Sequence, residues 1–166
     1  MNILQLCCFT DLWNSINEIC SMDKKTGNDV LDLPDDFGKQ FDLIVSAPPC
    51  TQFTKANNTR WLPYPELDII IAKKCFDISI QSGALWLLEN PPGRIETFLP
   101  GLTAYRMVTW SGLRTNKEYV LYSNFLILTS GPRYGKPDST LNLSKRQREK
   151  WQPDLIADIE RSLPCI

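Results

Sequence analysis

Histidine is absent from the chain. That removes the Ser-His-Asp and Cys-His arrangements, in which an imidazole takes the nucleophile's proton. It also removes zinc's usual nitrogen ligand. The six cysteines, Cys7, Cys8, Cys20, Cys50, Cys75 and Cys165, contain no C-x-x-C spacing, so no metal is expected. Cys20 and Cys75 sit in apolar surroundings and read as buried thiols of a reducing compartment. No apolar run approaches the ~18 residues of a membrane span, so no membrane partner is expected. The first residues, Met1 to Leu6, lack the basic region and long apolar stretch of a secretory signal. A cytoplasmic protein is the expectation. Internal repeats and low-complexity tracts are missing too.

What is present suits one domain over residues 1–166, with 43% hydrophobic and 22% charged residues. The net charge of −1 conceals an asymmetry. Residues 1–47 hold eight acids and three bases, whereas residues 133–150 hold six bases and two acids. The basic stretch either meets phosphates or forms a solvated helix face.

The hydrophobic pattern alternates strands with helices. Asn2 to Cys7, Glu18 to Met22, Phe41 to Ser46 and Ala84 to Leu88 read as buried strands. Asp11 to Glu18 reads as a brief helix capped by Thr10 or Asp11. Val30 to Leu33 suits a short strand or turn. Thr51 to Pro65 is a long polar loop. Glu66 to Gln81 is the best helix, with Leu67, Ile70, Ile71, Cys75 and Ile78 on one face and Gly83 ending it. Leu102 to Trp110 and Tyr119 to Leu128 suggest an antiparallel pair. Gly131 to Leu143 is loop, and Ser144 to Ser162 is a terminal helix that Pro153 either interrupts or restarts. The fold expected is α/β: a Rossmann-like, doubly wound, mostly parallel sheet with a closing antiparallel hairpin. Such sheets bind ligands beyond the carboxyl ends of their strands. Cys7, Asp23, Cys50 and Glu89 fall there.

Two segments carry chemistry. Val45-Ser46-Ala47-Pro48-Pro49-Cys50-Thr51-Gln52-Phe53 follows one buried strand, and Leu87-Leu88-Glu89-Asn90-Pro91-Pro92-Gly93 follows another. A thiolate can add to C6 of a cytosine ring and so make C5 nucleophilic. A carboxyl group near N3 and the exocyclic amine balances the charge that develops on the ring. Cys50 and Glu89 are the candidates, at stiff proline turns.

These two segments resemble the nucleophile loop and the Glu-Asn segment of DNA cytosine-5 methyltransferases, nearest to the short phage and bacterial forms. The resemblance implies a class I methyltransferase fold, S-adenosylmethionine as cofactor and DNA as partner. It implies Cys50 as nucleophile, with Glu89 contacting N3 and N4 of the base. Trp110-Ser111-Gly112-Leu113-Arg114-Thr115-Asn116-Lys117 resembles a later segment of that family. It gives Arg114 a catalytic role, and Lys117, with Gln52, a role on the nucleic acid. Thr10, Asp23, Asp29, Val30 and Pro48 would line the cofactor, Asp23 on its ribose and Asp29 on its adenine amine. Neither loop has the aromatic that follows Pro-Pro in amino-methyltransferases.

The chain departs from the family in two places. Where the family has Phe-x-Gly-x-Gly, this sequence reads Leu6-Cys7-Cys8-Phe9-Thr10-Asp11, with Phe9 and Asp11 in place of glycines. The family's target-recognition domain is also missing, with only the 131–143 region in its place. The DNA would then be single-stranded or presented by another protein. Two readings follow: cytosine-C5 methylation through a covalent cysteine adduct, or a methyltransferase-like protein that binds nucleic acid or a protein without catalysis.

Overall fold

The structure, a computed structural model, describes residues 1–8, 19–22, 27–51, 53, 65–111, 118–128 and 153–163. Six short strands make one sheet: β1 (Ile3–Leu6), β2 (Ile19–Met22), β3 (Leu43–Ser46), β4 (Leu85–Asn90), β5 (Arg106–Ser111) and β6 (Glu118–Ser123). Their order is β2-β1-β3-β4-β6-β5. β2, β1, β3 and β4 run parallel, while β6 is antiparallel to both β4 and β5. The expected α/β architecture, mostly parallel with a closing hairpin, is therefore present.

Strand alternation sorts the side chains onto two faces. Leu4, Leu6, Ile44, Trp86, Leu88, Val120 and Tyr122 line one face, packed by α1 (Pro65–Ser82) through Ala72, Cys75, Phe76 and Ile78. Ile3, Leu43, Val45, Leu87, Tyr119 and Leu121 line the other, packed by the last helix, α3 (Pro153–Ser162), through Leu155 and Ile159. The intervening α2 is a single turn, Ile95–Phe98. Both faces of the sheet are thus covered, as near-continuous apolar strands such as Leu85-Trp86-Leu87-Leu88 require. Burying one such side chain contributes roughly 1.5–3 kcal/mol.

Several sequence expectations are corrected. Of the strand or turn expected over Val30 to Leu33, it is the turn that forms: Val30–Asp32 is a 3-10 turn, with the Asp29 carboxylate accepting from the Leu31 amide at 3.0 Å. A second 3-10 segment, Asp35–Gln40, lies against α1. Glycine is required at position 38, where a Cβ would stand 2.7 Å from Ile44 Cδ1 and 2.8 Å from Ser82 Cβ. The strand expected from Leu102 starts only at Arg106, since Pro100–Ala104 is a 3-10 turn. The strand expected to reach Leu128 stops at Ser123. There the Asn124 side chain takes over the ladder, accepting from the Trp86 amide at 2.9 Å and donating to the Ala84 carbonyl at 2.8 Å.

The long helix is present, but its buried face is shifted. Leu67 and Ile70, expected in the core, are 45% and 52% exposed. Cys75 and Ile78 are buried as expected, and Ala72, Phe76 and Ser79 are buried beside them. The helix ends at Gly83, with φ of +74°, the left-handed stop expected of that glycine. Pro153 opens α3 at its first position, where the missing amide hydrogen costs nothing. The expected helix at 11–18, the loops at 54–64 and 131–143, and residues 144–152 lie outside the described residues. Among the described residues no helix is long and apolar enough to cross a membrane, and no group of His, Cys, Asp and Glu is arranged to hold a metal ion.

Candidate functional site

In the observed strand order the sheet changes direction of winding between β1 and β3, which are hydrogen-bonded neighbours although β2 lies between them in sequence. A crevice opens at such a point beyond the strand ends, because successive connections leave to opposite sides. The chain leaves β1 at Cys7 and β3 at Ala47, and the Ala47 amide donates to the Leu6 carbonyl at 3.0 Å. The cysteine loop therefore emerges at the crevice.

The glutamate loop emerges beside it. β3 and β4 are parallel neighbours, with Ser46 opposite Leu88. That register sets Glu89 level with Ala47, one strand away. Three contacts then hold the two loops to each other. The Asn90 side-chain nitrogen donates to the Pro48 carbonyl at 3.4 Å. The Arg94 amide donates to the Phe53 carbonyl at 2.8 Å. The Phe53 ring, fully buried, packs against Phe98 at 5.7 Å between centroids. Within the cysteine loop, the Phe53 amide donates to the Cys50 carbonyl at 2.9 Å, closing a turn around the thiol. The prolines shape this pattern, since Pro48, Pro49, Pro91 and Pro92 have no amide hydrogen to satisfy.

Cys50 is partly exposed, while Glu89 is only 6% exposed. A thiol that must reach an incoming ring needs access. A carboxyl group that must exchange a proton with that ring works best sheltered from water. Glu89 lies on the α3 face of β4, between the positions of Leu87 and Leu121. Asn90 is fully buried on the opposite face.

The remaining expected residues divide. Asp29 is half-buried, with Oδ1 engaged by the Leu31 amide. Val30 is 3% exposed and packs in the α1-side core, so only its backbone is offered to a ligand. Pro48 is buried, and its carbonyl is taken by Asn90. Thr10, Asp23, Gln52, Arg114 and Lys117 lie outside the described residues. Trp86, expected in the core, is there: it stacks edge-on with Phe76 at 5.8 Å and Tyr105 at 4.6 Å.

The linking roles of Asn90 and of the Arg94 amide were not read from the sequence. The available signal was the direct adjacency of Asn90 to both Glu89 and a proline pair. The hydrogen bond from the Tyr122 hydroxyl to Glu96 Oε1, at 2.9 Å, also escaped it. Burial and that bond together push the Tyr122 phenol well above its ordinary range.

Neither a scan against protein-family models nor a search of the curated proteins finds a match to this chain.

Proposed function

We propose that the protein is a class I methyltransferase-like enzyme that methylates C5 of cytosine in DNA. The observation that carries this reading is the pairing of a proline-stiffened loop bearing Cys50 with the end of the adjacent parallel strand β4, which bears Glu89 and is tied by Asn90 to Pro48. The Cys50 thiolate adds to C6 of the ring. The Glu89 carboxyl group, sheltered at the end of β4, shares a proton with N3 and accepts from the exocyclic amine. Once C5 carries its new substituent, its hydrogen leaves as a proton and Cys50 departs as the thiolate. The proline turns and the Asn90 bridge hold thiol and carboxyl group in fixed relation, which supplies the orientation such an addition needs.

S-adenosylmethionine would supply the electrophilic methyl group. Among the described residues, Asp29 fits it: one carboxylate oxygen is held by the Leu31 amide, and the other is open to an amine donor. The substrate is proposed to be single-stranded DNA or DNA presented by a partner, in which the target base is already out of the stack.

A second reading, binding without catalysis, is favoured by Phe9 and Asp11, which replace glycines where a cofactor must approach the backbone. One experiment separates the two. A single-stranded oligonucleotide containing 5-fluorocytosine, incubated with protein and S-adenosylmethionine, is expected to form a covalent adduct stable to denaturing electrophoresis. No adduct on the gel, together with no S-adenosylmethionine binding in calorimetry, would leave only the second reading.

A further inference from the structure

The left-handed backbone at Cys7 has a consequence for the thiols around it. Cys7 is the one non-glycine residue among those described with positive φ, at +58°. A chain continuing as β-strand past Leu6 would send Cys7 to the α3 face and Cys8 to the α1 face. The left-handed residue reverses this. Cys7 packs with the α1-side core beside Leu6, while Cys8 is buried with the α3-side core. The reversal brings Cys7 Sγ to 3.9 Å from Cys75 Sγ, on the buried face of α1. Cys8 is held away, with its thiol directed at the Leu6 and Val45 carbonyls at 3.5 and 3.6 Å. An uncommon backbone state persists where its surroundings impose it, and such states cluster at functional positions.

We propose that Cys7 and Cys75 are a thiol–disulfide exchange site that closes reversibly and fastens the loop after β1 to α1. Cys7 is half-exposed and Cys75 fully buried, so the first exchange belongs to Cys7. The contact with Cys7 and burial both raise the Cys75 thiol well above its ordinary range, which leaves the first attack to the more exposed Cys7. The co-reactant is a low-molecular-weight disulfide. The Cys7 thiolate attacks one of its sulfurs, forming a mixed disulfide and releasing one thiol. Cys75 then attacks Cys7 Sγ, and its proton leaves with the second thiol. The two protein sulfurs are oxidised by two electrons, and the small disulfide is reduced to two thiols. The sulfurs approach from 3.9 Å to a bonding distance of about 2.05 Å. Cys75 is fixed by the α1 core, so the approach falls to Cys7, at the end of β1. This site stands apart from the proposed methylation: its chemistry requires neither Cys50 nor Glu89.

The test uses the full chain and glutathione disulfide under native conditions, followed by alkylation, digestion and mass spectrometry. The expected product is a cross-linked peptide joining Cys7 to Cys75, with a loss of about 2 Da from the intact mass. Closing a loop of 68 residues' separation is expected to raise Tm by up to about 10 °C, reversed by dithiothreitol. The product is expected to vanish in Cys7→Ser and persist in Cys8→Ser and Cys50→Ser. Glutathione retained on Cys7 with Cys75 alkylated, cross-links spread over other cysteine pairs, or no reaction at either thiol would each overturn the proposal. The wild-type mapping decides the matter even if a Cys75 variant does not fold.

Discussion

The loops that leave the sheet on either side of the crevice are built differently. Beyond β3 and β4, the two proline loops are joined by a side-chain hydrogen bond, a backbone hydrogen bond and an aromatic contact. Beyond β1, the chain turns at a left-handed cysteine, and that cysteine's thiol meets another thiol at 3.9 Å. Amide hydrogen bonds to carbonyls fix direction closely, whereas thiol contacts are long and weak. The proposed base-handling side is therefore preorganised. The proposed cofactor side depends on a segment with Phe9 and Asp11 where the family it resembles has glycines. Activity on this reading is limited by cofactor binding before it is limited by chemistry.

The largest effect should come from removing the nucleophile. Cys50→Ser is expected to reduce methyl transfer by about 10⁴-fold or more, with the thermal midpoint unchanged within a few degrees. Turnover that survives the change would break the proposed division between the two sides, since no cysteine addition would then be taking place. Glu89→Gln keeps the shape of the carboxyl group but not its proton exchange. Its expected cost is roughly 10²–10⁴-fold in kcat, with S-adenosylmethionine affinity unaltered. A loss of cofactor affinity equal to the loss of rate would show that Glu89 serves the other side of the crevice.

How much of this was legible in the sequence follows from where each signal lives. Continuous apolar strands and proline punctuation are local, so β1, β3 and β4 were placed within a few residues, and Cys50 and Glu89 with them. The register of Ser46 against Leu88 is not local: it follows from how α1 returns the chain to the sheet. The end of β6 at Ser123 was missed because Asn124 acts on β4, some 38 residues away in sequence. The C-terminal part of α1's apolar face, with Ile71, Cys75 and Ile78, was placed correctly, and its N-terminal part was misjudged by counting apolar residues. Leu67 and Ile70 fit the periodicity, yet Gly38 and Ser82 set which side of the helix meets the 3-10 segment. Cys7 carries no pattern at all, since only the backbone reversal at the strand end makes it a partner of Cys75.

Two intermediate changes sharpen the contrast between the sides. Asn90→Ala removes the bridge to Pro48 and is expected to lower kcat by roughly 10- to 100-fold, as small misplacements of reacting groups do. Its stability cost should be about 1–3 kcal/mol, read by urea titration, because a buried acceptor loses its donor. A rise in KM alone, with kcat unchanged, would mean that the bridge does not position the loops. On the opposite side, Phe9→Gly with Asp11→Gly is expected to tighten S-adenosylmethionine binding by about tenfold in calorimetry, by letting backbone approach the ligand. Unaltered affinity would remove those two side chains as the obstruction.

The smallest effect lies away from both loops and serves as their control. Lys74 neighbours Cys75 on α1, but its ammonium pairs with Asp35 on the surface. The hydrogen bond and charge of Lys74 lower the Asp35 pKa from the ordinary 3.8. A lowered carboxyl pKa contributes stability that is present above the ordinary value and lost as pH falls through the lowered one. Lys74→Gln should therefore be slightly less stable than wild type at neutral pH, and the difference should close in strong acid and shrink in high salt, because the pair is exposed. S-adenosylmethionine binding and the Cys7–Cys75 cross-link should be the same in both proteins. A change in either would mean that the surface of α1 is coupled to the strand ends through the helix itself. The difference between the two sides of the crevice would then be a property of how α1 is seated, and not of the loops.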